Sequence, residues 1–523
     1  MKNNYDVVVI GGSLGGIMAA YSSLKQGLNV LLVEETDWIG GQLTSQGVPS
    51  DEHDFIETTG STTTYRNFRE KVRDYYRNHP NVIEEIKKTK IFNPGSGWVS
   101  RNAHEPLLAL KLFNEMLEPF VENGKLTILL ETVVTSAKYD DEFVESLTLL
   151  TNNQVREVFA TYFVDGTDNG DLLPITKTDY VTGAESFDEY NEPHAPKETK
   201  PHDMQPVTWV IAVEWEEGGN NRIEKPAMYE FYKNYQMPFN EPILSWYAAG
   251  LDMGTKRQFS LFATPHTKFE NTPAMFTYRQ VFNPNIFKDK KGLNPITLIN
   301  WPQNDYIMGN IIENDNVEFH KYAAKQLSLS LVYWLQTEAE RDDGKGFGYP
   351  EIKISKGTLG TDDGLAKAPY IRESRRIKAL YTIREQDISK KHAKKIPEYW
   401  DSIGIGLYHI DLHMTTETKT YFFDETWPFE IPLGALIPRN RKNLIAACKN
   451  IGTTHITNGC YRLHPIEWNI GESAGHAVSY AIKNKVDLHE LYENKTHVKN
   501  LQDILVENGV QLKWPDEIVK GGK

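Results

Sequence analysis

The first 35 residues constrain the fold of this chain more than any other segment. The uninterrupted apolar run VVVI at residues 7–10 ends abruptly in the glycine-rich sequence GGSLGG at residues 11–16. This pattern predicts a buried parallel strand that turns sharply into a helix, which continues through residues 17–26. A second buried strand, VLLV at residues 30–33, ends in Glu34. The spacing therefore predicts a strand–helix–strand unit of the length that binds dinucleotides.

The glycine-rich turn has the residues expected around a pyrophosphate group. Gly11 permits the tight turn, and Gly16 lets the helix pack closely on the strand. The free N–H groups at the start of the helix face the phosphates, and Glu34 accepts a hydrogen bond from a ribose hydroxyl. Ser13 stands where the pattern G-x-G-x-x-G has its second glycine, so an ordinary turn is the alternative. The predicted contacts are Gly11, Gly12, Ser13, Gly15, Gly16, Glu34 and Glu35.

A second glycine pair follows at once, in the segment DWIGGQLT at residues 37–44. A unit that binds NAD does not require this pair. The segment resembles a loop of FAD-dependent oxidoreductases of the glutathione reductase type, where it approaches the pyrophosphate and the ribityl chain. The resemblance implies that FAD is the cofactor and that Gly40, Gly41 and Gln42 contact it. The alternative is a flexible surface loop.

Two further regions resemble the same superfamily. The sequence YFVDGTDNGDL at residues 162–172 resembles its second strand, whose end backs the cofactor. The segments IPLGALIP at residues 431–438 and NLIAA at residues 443–447 lead to GESAGH at residues 471–476, which resembles the strand and helix that contact the flavin. The cofactor contacts that the resemblance implies in these regions and beside the adenine are Val134, Asp165, Gly166, Thr167, Arg462, Gly471 and Glu472.

Together with RESRRI at residues 372–377, these segments most resemble a bacterial FAD-dependent oxidoreductase family within that superfamily. The resemblance implies an α/β fold. A Rossmann-like FAD-binding domain, with a parallel sheet and a βαβ unit at its N terminus, is joined to a discontinuous mixed α+β substrate domain. The expected division is residues 1–192 for the N-terminal part of the FAD-binding domain, 193–364 for the substrate domain, 365–482 for the C-terminal, flavin-contacting part, and 483–523 for a helical tail.

Composition narrows the function of the chain. With 523 residues, 40% of them hydrophobic, the chain can bury a large core. A net charge of −14 without a basic run argues against binding to nucleic acid. Cys448 and Cys460 form no C-x-x-C motif, which argues against disulfide reductases and iron–sulfur proteins. The expected partner is therefore a small-molecule substrate, and the oligomeric state is left open.

The N-terminal segment and the apolar runs predict the compartment. Met1 is followed almost directly by the first strand, and no apolar run reaches 18 residues. We therefore expect no signal peptide, no membrane association and a cytoplasmic localisation.

The first candidates for catalysis lie in YHIDLH at residues 408–413. An extended chain would place His409, Asp411 and His413 on one face, and a helix would place the two histidines together. Flavin-dependent oxidation needs a hydride acceptor and usually a base for the accompanying proton. We expect His413 to be this base, with His409 as the alternate and Asp411 orienting one of them. Structural histidines and a metal site are the alternatives, and no metal is predicted.

Arg372 is the fourth catalytic candidate. Its guanidinium group can bind a substrate carboxylate through two hydrogen bonds, or it can neutralise the flavin. Because Arg375 and Arg376 follow closely, a solvated or salt-bridged arginine cluster is the alternative.

These observations predict an FAD-dependent dehydrogenase or oxidase that removes hydride from a small polar metabolite. A flavin monooxygenase or halogenase-like enzyme is the first alternative, and a non-catalytic flavin-binding protein is the second. The sequence GESAG at residues 471–475 stands in place of the G-D-A-A-H-like segment of the hydroxylases, which favours the dehydrogenase or oxidase. The substrate and the final electron acceptor are left open.

Overall fold

The computed structural model describes residues 3–251, 254–262 and 274–521. These residues have the predicted α/β fold, in which a mostly parallel sheet is combined with smaller antiparallel sheets. The strands, numbered in chain order, are β1 (Asn4–Ile10), β2 (Val30–Val33), β3 (Leu126–Leu129), β4 (Thr132–Tyr139), β5 (Val144–Thr151), β6 (Gln154–Asp165), β7 (Tyr180–Val181), β8 (Val207–Thr208), β9 (Ile211–Trp215), β10 (Tyr247–Ala249), β11 (Lys256–Gln258), β12 (Gln280–Phe282), β13 (Ile296–Ile299), β14 (Asp305–Tyr306), β15 (Ile352–Ile354), β16 (Arg376–Ile377), β17 (Ser402–Gly406), β18 (Ile410–Leu412), β19 (Phe422–Asp424), β20 (Phe429–Pro432) and β21 (Leu444–Ala446).

The α-helices connect these strands and form the C-terminal region. None of the helices in the described part of the chain is long and apolar enough to cross a membrane. The helices are α1 (Leu14–Lys25), α2 (Thr63–Arg77), α3 (Glu84–Lys87), α4 (Pro106–Glu122), α5 (Leu172–Ile175), α6 (Phe187–Tyr190), α7 (Tyr229–Asn234), α8 (Met275–Tyr278), α9 (Val317–Thr337), α10 (Glu385–Ile388), α11 (His455–Tyr461), α12 (His464–Asn484), α13 (Leu488–Glu493), α14 (Lys495–Glu507) and α15 (Asp516–Gly521).

The largest sheet contains the predicted βαβ unit. Its order is β3-β2-β1-β6-β5-β4, and β21 also pairs with β6. The pairs of β1 with β2 and β6, of β2 with β3 and of β21 with β6 are all parallel. Val9 lies opposite Leu32 on one side and Val164 on the other. The carboxyl ends of these strands therefore meet at one edge, where ligands bind to open parallel sheets.

Ser13 explains why α1 begins at Leu14, before the predicted start at Ile17. Its hydroxyl oxygen accepts a hydrogen bond from the N–H of Gly16 at 3.1 Å. This bond satisfies one of the free donors in the first turn of the helix. The residue that departs from the glycine pattern thus serves as the N-cap.

Buried apolar residues form two cores. The first lies between the parallel sheet and helices that include α1, α4 and α12, and its buried members include Val8 and Phe163. The second surrounds the antiparallel sheet β12-β13-β9-β15 and helix α9, and its buried members include Leu298 and Leu331. The domain boundaries given above stay predictions.

Helices α1 and α12 touch through glycines, where their backbones come into direct contact. A Cβ atom on Gly15 would lie 1.7 Å from the carbonyl oxygen of Ala447, and one on Gly471 would lie 2.0 Å from the carbonyl oxygen of Gly15. A Cβ atom on Gly475 would lie 2.1 Å from Ser22 Oγ. Only glycine permits these approaches, and they hold the C-terminal region against the first βαβ unit.

We expect Gly15→Ala to lower the free energy of unfolding by about 1–3 kcal/mol or more, because overpacking a tight contact has this cost. The added methyl group would overlap the Ala447 carbonyl oxygen, so the backbones must move apart. Urea unfolding of the FAD-bound protein, followed by circular dichroism, measures the loss.

The matched control is Gly27→Asn, just beyond the other end of α1. Gly27 has a φ of +90° and no atom within 4 Å of a Cβ position, and asparagine tolerates the left-handed region. An equal loss of stability in both variants would contradict the prediction.

Candidate cofactor and substrate site

A cavity of about 380 Å³ lies at the carboxyl edge of the parallel sheet. The ends of β1 and β2, the start of β4 and the residues after β6 border it. Its volume lies within the range of ligand-binding pockets. Five of the predicted cofactor contacts line it, namely Gly11, Glu34, Glu35, Val134 and Thr167.

The Glu34 carboxylate stands at the end of β2, facing this cavity. Its Oε2 atom accepts a hydrogen bond from the N–H of Gly12 at 2.7 Å. Its Oε1 atom accepts bonds from the N–H and the hydroxyl of Thr36 at 2.9 and 2.7 Å. Burial raises the pKa of Glu34 to about 7, although these hydrogen bonds lower it. An acceptor at this strand end is suited to the hydroxyl groups of a ribose.

The second glycine pair lies against the start of α1. The N–H of Gly40 donates to the carbonyl oxygen of Gly12 at 2.7 Å. A Cβ atom on Gly41 would lie 2.9 Å from the Cα of Ser13. Gly40 and Gly41 have φ values of +116° and +49°, which favour glycine. The two glycine-rich segments therefore contact each other directly through their backbones.

Asp165 and Gly166 do not line the cavity, but they hold residues that do. Asp165 Oδ1 accepts hydrogen bonds from the N–H and the hydroxyl of Thr167 at 3.0 and 2.6 Å. Burial raises the pKa of Asp165 to about 7. The N–H of Gly166 donates to the carbonyl oxygen of Ile10 at 2.7 Å, and a Cβ atom on Gly166 would lie 2.7 Å from the Cα of Gly16. Asp165 and Gly166 thus hold in place Thr167 and Ile10, which line the cavity.

A buried ion-pair network, not predicted from the sequence, joins the glycine segments to α12. Lys449 Nζ lies 2.5 Å from Asp168 Oδ1 and 3.0 Å from Glu467 Oε2. Glu467 also accepts hydrogen bonds from the N–H of Gly15 at 3.2 Å and from Gln42 Nε2 at 2.6 Å. These residues come from four separate segments, so no spacing in the sequence could have revealed the network.

The cavity fits the adenosine end of FAD. Its wall combines the Glu34 carboxylate with the apolar side chains of Val134 and Leu172, which suit a ribose and a base respectively. A Cβ atom on Gly11 would lie 2.3 Å from the carbonyl oxygen of Gly166, so only glycine is tolerated at the turn beside it. Glu34 and Val134 would therefore hold this end of the cofactor.

A second cavity, of about 240 Å³, contains all the predicted catalytic residues. His409, Asp411 and His413 come from the segment around β18, and Arg372 comes from the residues that precede β16. The predicted residues that line it are Arg372, His409, Asp411, His413 and Arg462.

Two chain segments run from the first cavity to the second. Ser45 lines the first cavity and Val48 lines the second. Ala368 likewise lines the first and Tyr370 the second, and the N–H of Ala368 donates to the carbonyl oxygen of Ser45 at 3.1 Å. The two cavities are thus neighbours along a shared pair of segments, as a two-part ligand requires.

A line of alternating charges crosses one side of the second cavity. Arg372 Nη2 lies 3.0 Å from Asp305 Oδ1, and Asp305 Oδ2 lies 2.5 Å from His413 Nδ1. His413 Nε2 lies 3.3 Å from Asp411 Oδ2, which lies 3.6 Å from Arg462 Nη2. Burial alone would raise the pKa of both carboxyl groups, but His413 and the two arginines hold both pKa values below the usual range.

This arrangement surrounds His413, the residue expected to be the base. Both of its ring nitrogens face carboxylates, Nδ1 toward Asp305 and Nε2 toward Asp411. Because each ring nitrogen already faces a carboxylate, neither is free to accept a proton from a ligand in the cavity. Asp411 therefore orients His413, but the geometry argues against His413 as the base.

His409, the predicted alternate, is better placed to accept a proton. Its ring lies against Tyr408 and Phe423, with centroid distances of 4.0 and 4.4 Å. Neither ring nitrogen has a hydrogen-bond partner in the described part of the chain. Burial lowers the pKa of His409, although Asp411 and Asp51 raise it. The imidazole is therefore neutral near pH 7 and open to the cavity.

His464 lines the same cavity but is held in one neutral tautomer. The N–H of Asp51 donates to its Nδ1 atom at 3.0 Å, so the proton lies on Nε2, which donates to the carbonyl oxygen of Val48 at 3.2 Å. Burial lowers the pKa of His464 to about 3. Its role is to position the loop at residues 48–51.

Two of the implied flavin contacts lie away from both cavities. Helix α12 begins at His464, so Gly471 and Glu472 lie two turns inside it. Gly471 packs on Gly15, and Glu472 Oε2 accepts a hydrogen bond from the hydroxyl of Thr64 at 2.5 Å. In the structure these two residues serve helix packing.

The fold and the cavity at the carboxyl edge of its parallel sheet are typical of dinucleotide-binding α/β proteins. The sequence profile of the family described as FAD dependent oxidoreductase matches residues 6–505. The chain therefore belongs to this family of FAD-dependent oxidoreductases, and FAD is its cofactor. Among curated proteins, no sequence matches the chain significantly.

Several solved structures are similar to this chain. A geranylgeranyl bacteriochlorophyll reductase-like protein from Thermoplasma acidophilum has 10% identity and a TM-score of 0.33, over 98% of this chain and 85% of that one. L-proline dehydrogenase from P. horikoshii has 19% identity and a TM-score of 0.18, over 35% of this chain and 24% of that one. The flavin-dependent brominase Bmp2 has 17% identity and a TM-score of 0.25, over 43% and 48%. The chain thus spans less than half of the length of the dehydrogenase and of the brominase.

We expect Glu34→Ala to weaken FAD binding by about 1–3 kcal/mol, or roughly 5- to 150-fold in Kd, because it removes a buried hydrogen-bond acceptor. Titration of the FAD-free protein with FAD, followed by flavin fluorescence, measures Kd. Glu115→Ala is the control, since Glu115 lies exposed on α4 in an ion pair with Lys111. Equal Kd values for Glu34→Ala and the wild type would remove Glu34 from the cofactor site.

Proposed function

We propose that the chain is an FAD-dependent dehydrogenase or oxidase that acts on a small polar metabolite, with His409 as its general base. The observation that carries the proposal is the unengaged imidazole of His409 in the cavity that also contains Arg372 and Arg462. Bound FAD supplies the hydride acceptor, the N5 atom of the flavin. A neutral imidazole supplies the other requirement of such an oxidation, an acceptor for the proton of the substrate hydroxyl or amine.

The neighbours of His409 support this role. Asp411 and Asp51 raise its pKa, so they stabilise the imidazolium that forms when the proton arrives. Tyr408 packs on the ring, and its hydroxyl donates to Asp51 Oδ2 at 3.2 Å. Phe423 lies on the ring as well. The aromatic contacts hold the imidazole in place, and the carboxylates favour its charged form.

The line of charges from Arg372 to Arg462 has a positioning role in this proposal. Arg372 and Asp305 hold His413 from one side, and Asp411 holds it from the other. His413 is thereby fixed between two carboxylates. We expect it to hold Asp305 and Asp411 in place rather than to accept the proton of a substrate.

The experiments described below distinguish this proposal from two alternative functions. A monooxygenase or halogenase-like enzyme would use a flavin hydroperoxide and a separate reductant, and a flavin-binding protein without turnover would respond to no substrate. The closer kinship with a bacterial family of the glutathione reductase type, the cytoplasmic localisation and the absence of macromolecular partners are proposals supported by sequence motifs and composition.

We expect His409→Asn to slow substrate-dependent flavin reduction by about 10²- to 10⁴-fold, the contribution of a positioned general base. Anaerobic screening by flavin bleaching identifies a substrate, and stopped-flow absorbance with that substrate measures the rate. The FAD content should stay at the wild-type level. His497→Asn is the control, because His497 lies on α14 and contacts Tyr480. Reduction of His409→Asn at the wild-type rate would refute the assignment.

The same base predicts the pH dependence of flavin reduction. Burial lowers the pKa of His409 below its ordinary value of 6.5. The imidazole therefore stays mostly neutral at all pH values above 6.5. The rate should stay constant above this pH and decrease as the pH falls through the lowered pKa. Stopped-flow rates between about pH 5 and 8 test this limb, which His409→Asn should lack. A decrease that begins clearly above 6.5 would contradict the assigned group.

We expect NADH and NADPH to reduce the flavin far more slowly than a substrate does. The described residues contain one parallel sheet of the dinucleotide-binding kind, and in this proposal its glycine-rich turn is used by FAD. Stopped-flow mixing of the FAD-bound protein with each nucleotide measures the rate. Rapid bleaching by either nucleotide would overturn the dehydrogenase or oxidase proposal and favour a monooxygenase.

A further inference from the structure

Four arginines line the second cavity, Arg257, Arg279, Arg372 and Arg462, and they fall into two classes. Arg372 and Arg462 belong to the line of charges described above. Arg372 also donates to the Thr208 hydroxyl at 2.7 Å, and Arg462 donates to the Tyr370 hydroxyl at 2.9 Å. These two guanidinium groups are therefore held by the protein itself.

The other two arginines lack such partners. The Nε atom of Arg257 and the Nε and Nη1 atoms of Arg279 are buried and have no hydrogen-bond partner among the described residues. A guanidinium group removed from water without an acceptor costs free energy unless a ligand supplies one. The two arginines thus present unsatisfied donors at the cavity.

Aromatic rings lie beside both free guanidinium groups. The guanidinium carbon of Arg257 lies 5.2 Å from the ring centre of Phe259, and that of Arg279 lies 5.6 Å from the ring centre of Tyr278. Such contacts fix the plane of a guanidinium group without using its N–H donors. The donors therefore remain available for a ligand in the cavity.

The charge balance of the cavity wall is positive. Its acidic members among the described residues are Asp411, which belongs to the line of charges, and Asp51. Arg279 acts to lower the pKa of Asp51, yet burial has the larger effect and raises it. Four arginines therefore face two acidic side chains at the cavity wall, which leaves an excess of positive charge.

We propose that Arg257 and Arg279 form the subsite that binds a carboxylate group of the substrate. The inference rests on the proposed function and names the substrate class, a small organic acid whose hydroxyl or amine group is oxidised. A planar carboxylate accepts two parallel hydrogen bonds from a guanidinium group, which suits guanidinium groups whose N–H donors are not used by the protein.

Binding of malonate to the FAD-bound protein, measured by isothermal titration calorimetry, tests the subsite without turnover. Malonate has carboxylates but no hydroxyl or amine to oxidise, and malonamide is its neutral counterpart. We expect malonate to bind and malonamide not to bind. Arg257→Gln and Arg279→Gln should each weaken malonate binding by about 10- to 100-fold, the loss of a charge-assisted hydrogen bond.

Two controls accompany these variants. Arg222→Gln replaces an exposed arginine outside this cavity and should bind malonate as the wild type does. Arg279→Lys keeps the charge but loses the planar fork, so it should recover only part of the affinity. The comparison of malonate with malonamide uses the wild type, so the proposal is testable even if a Gln variant does not fold.

Several results would overturn the proposal. Equal binding of malonate and malonamide, or an unchanged Kd in both Gln variants, would remove the arginines from ligand binding. Loss of FAD from folded Gln variants would assign the arginines to the cofactor. Binding of inorganic phosphate in place of malonate would assign them to a phosphate ester.

Different results would refute the proposed carboxylate subsite and the proposed function. A protein that binds malonate as expected but whose flavin no compound reduces would refute the proposed function and keep the anion subsite. A flavin reduced by neutral compounds in a protein that does not bind malonate would refute the subsite and keep the function.

Discussion

The rest of the structure depends on backbone contacts made by the glycine-rich turn after β1. Gly11 touches the backbone of Gly166 after β6, and Gly15 touches the backbones of Ala447 and Gly471. Side chains at these glycines would force the segments apart by steric overlap. These contacts bring the ends of β1, β6 and β21 together with helix α12. The first cavity lies beside this meeting point.

The second organising interaction is electrostatic and joins different parts of the chain. Asp305 and Arg372 come from segments around the second core. Arg462 lies at the end of α11, among residues of the first core. Buried charges are tolerated when each has a partner, and breaking one pair leaves an uncompensated charge. The line of charges through His413 therefore connects these parts of the chain at the second cavity.

Two histidines only four residues apart have different surroundings for this reason. His413 lies between Asp305 and Asp411, and both of its ring nitrogens face a carboxylate. His409 lies between aromatic rings and is kept neutral by burial. The two histidines therefore differ because Asp305 and Asp411 face the ring nitrogens of His413, whereas aromatic rings pack on His409.

The sequence by itself determined the βαβ unit, the acidic Glu34 at a strand end, the cofactor and the region of the substrate cavity. These features depend on local apolar periodicity and on glycines at a fixed spacing, which short segments carry within themselves. Only the tertiary structure decided that His409 rather than His413 is free, because Asp305 lies more than a hundred residues away along the chain. It also decided that Arg257 and Arg279 line the cavity, since contacts between distant segments leave no pattern in the order of residues.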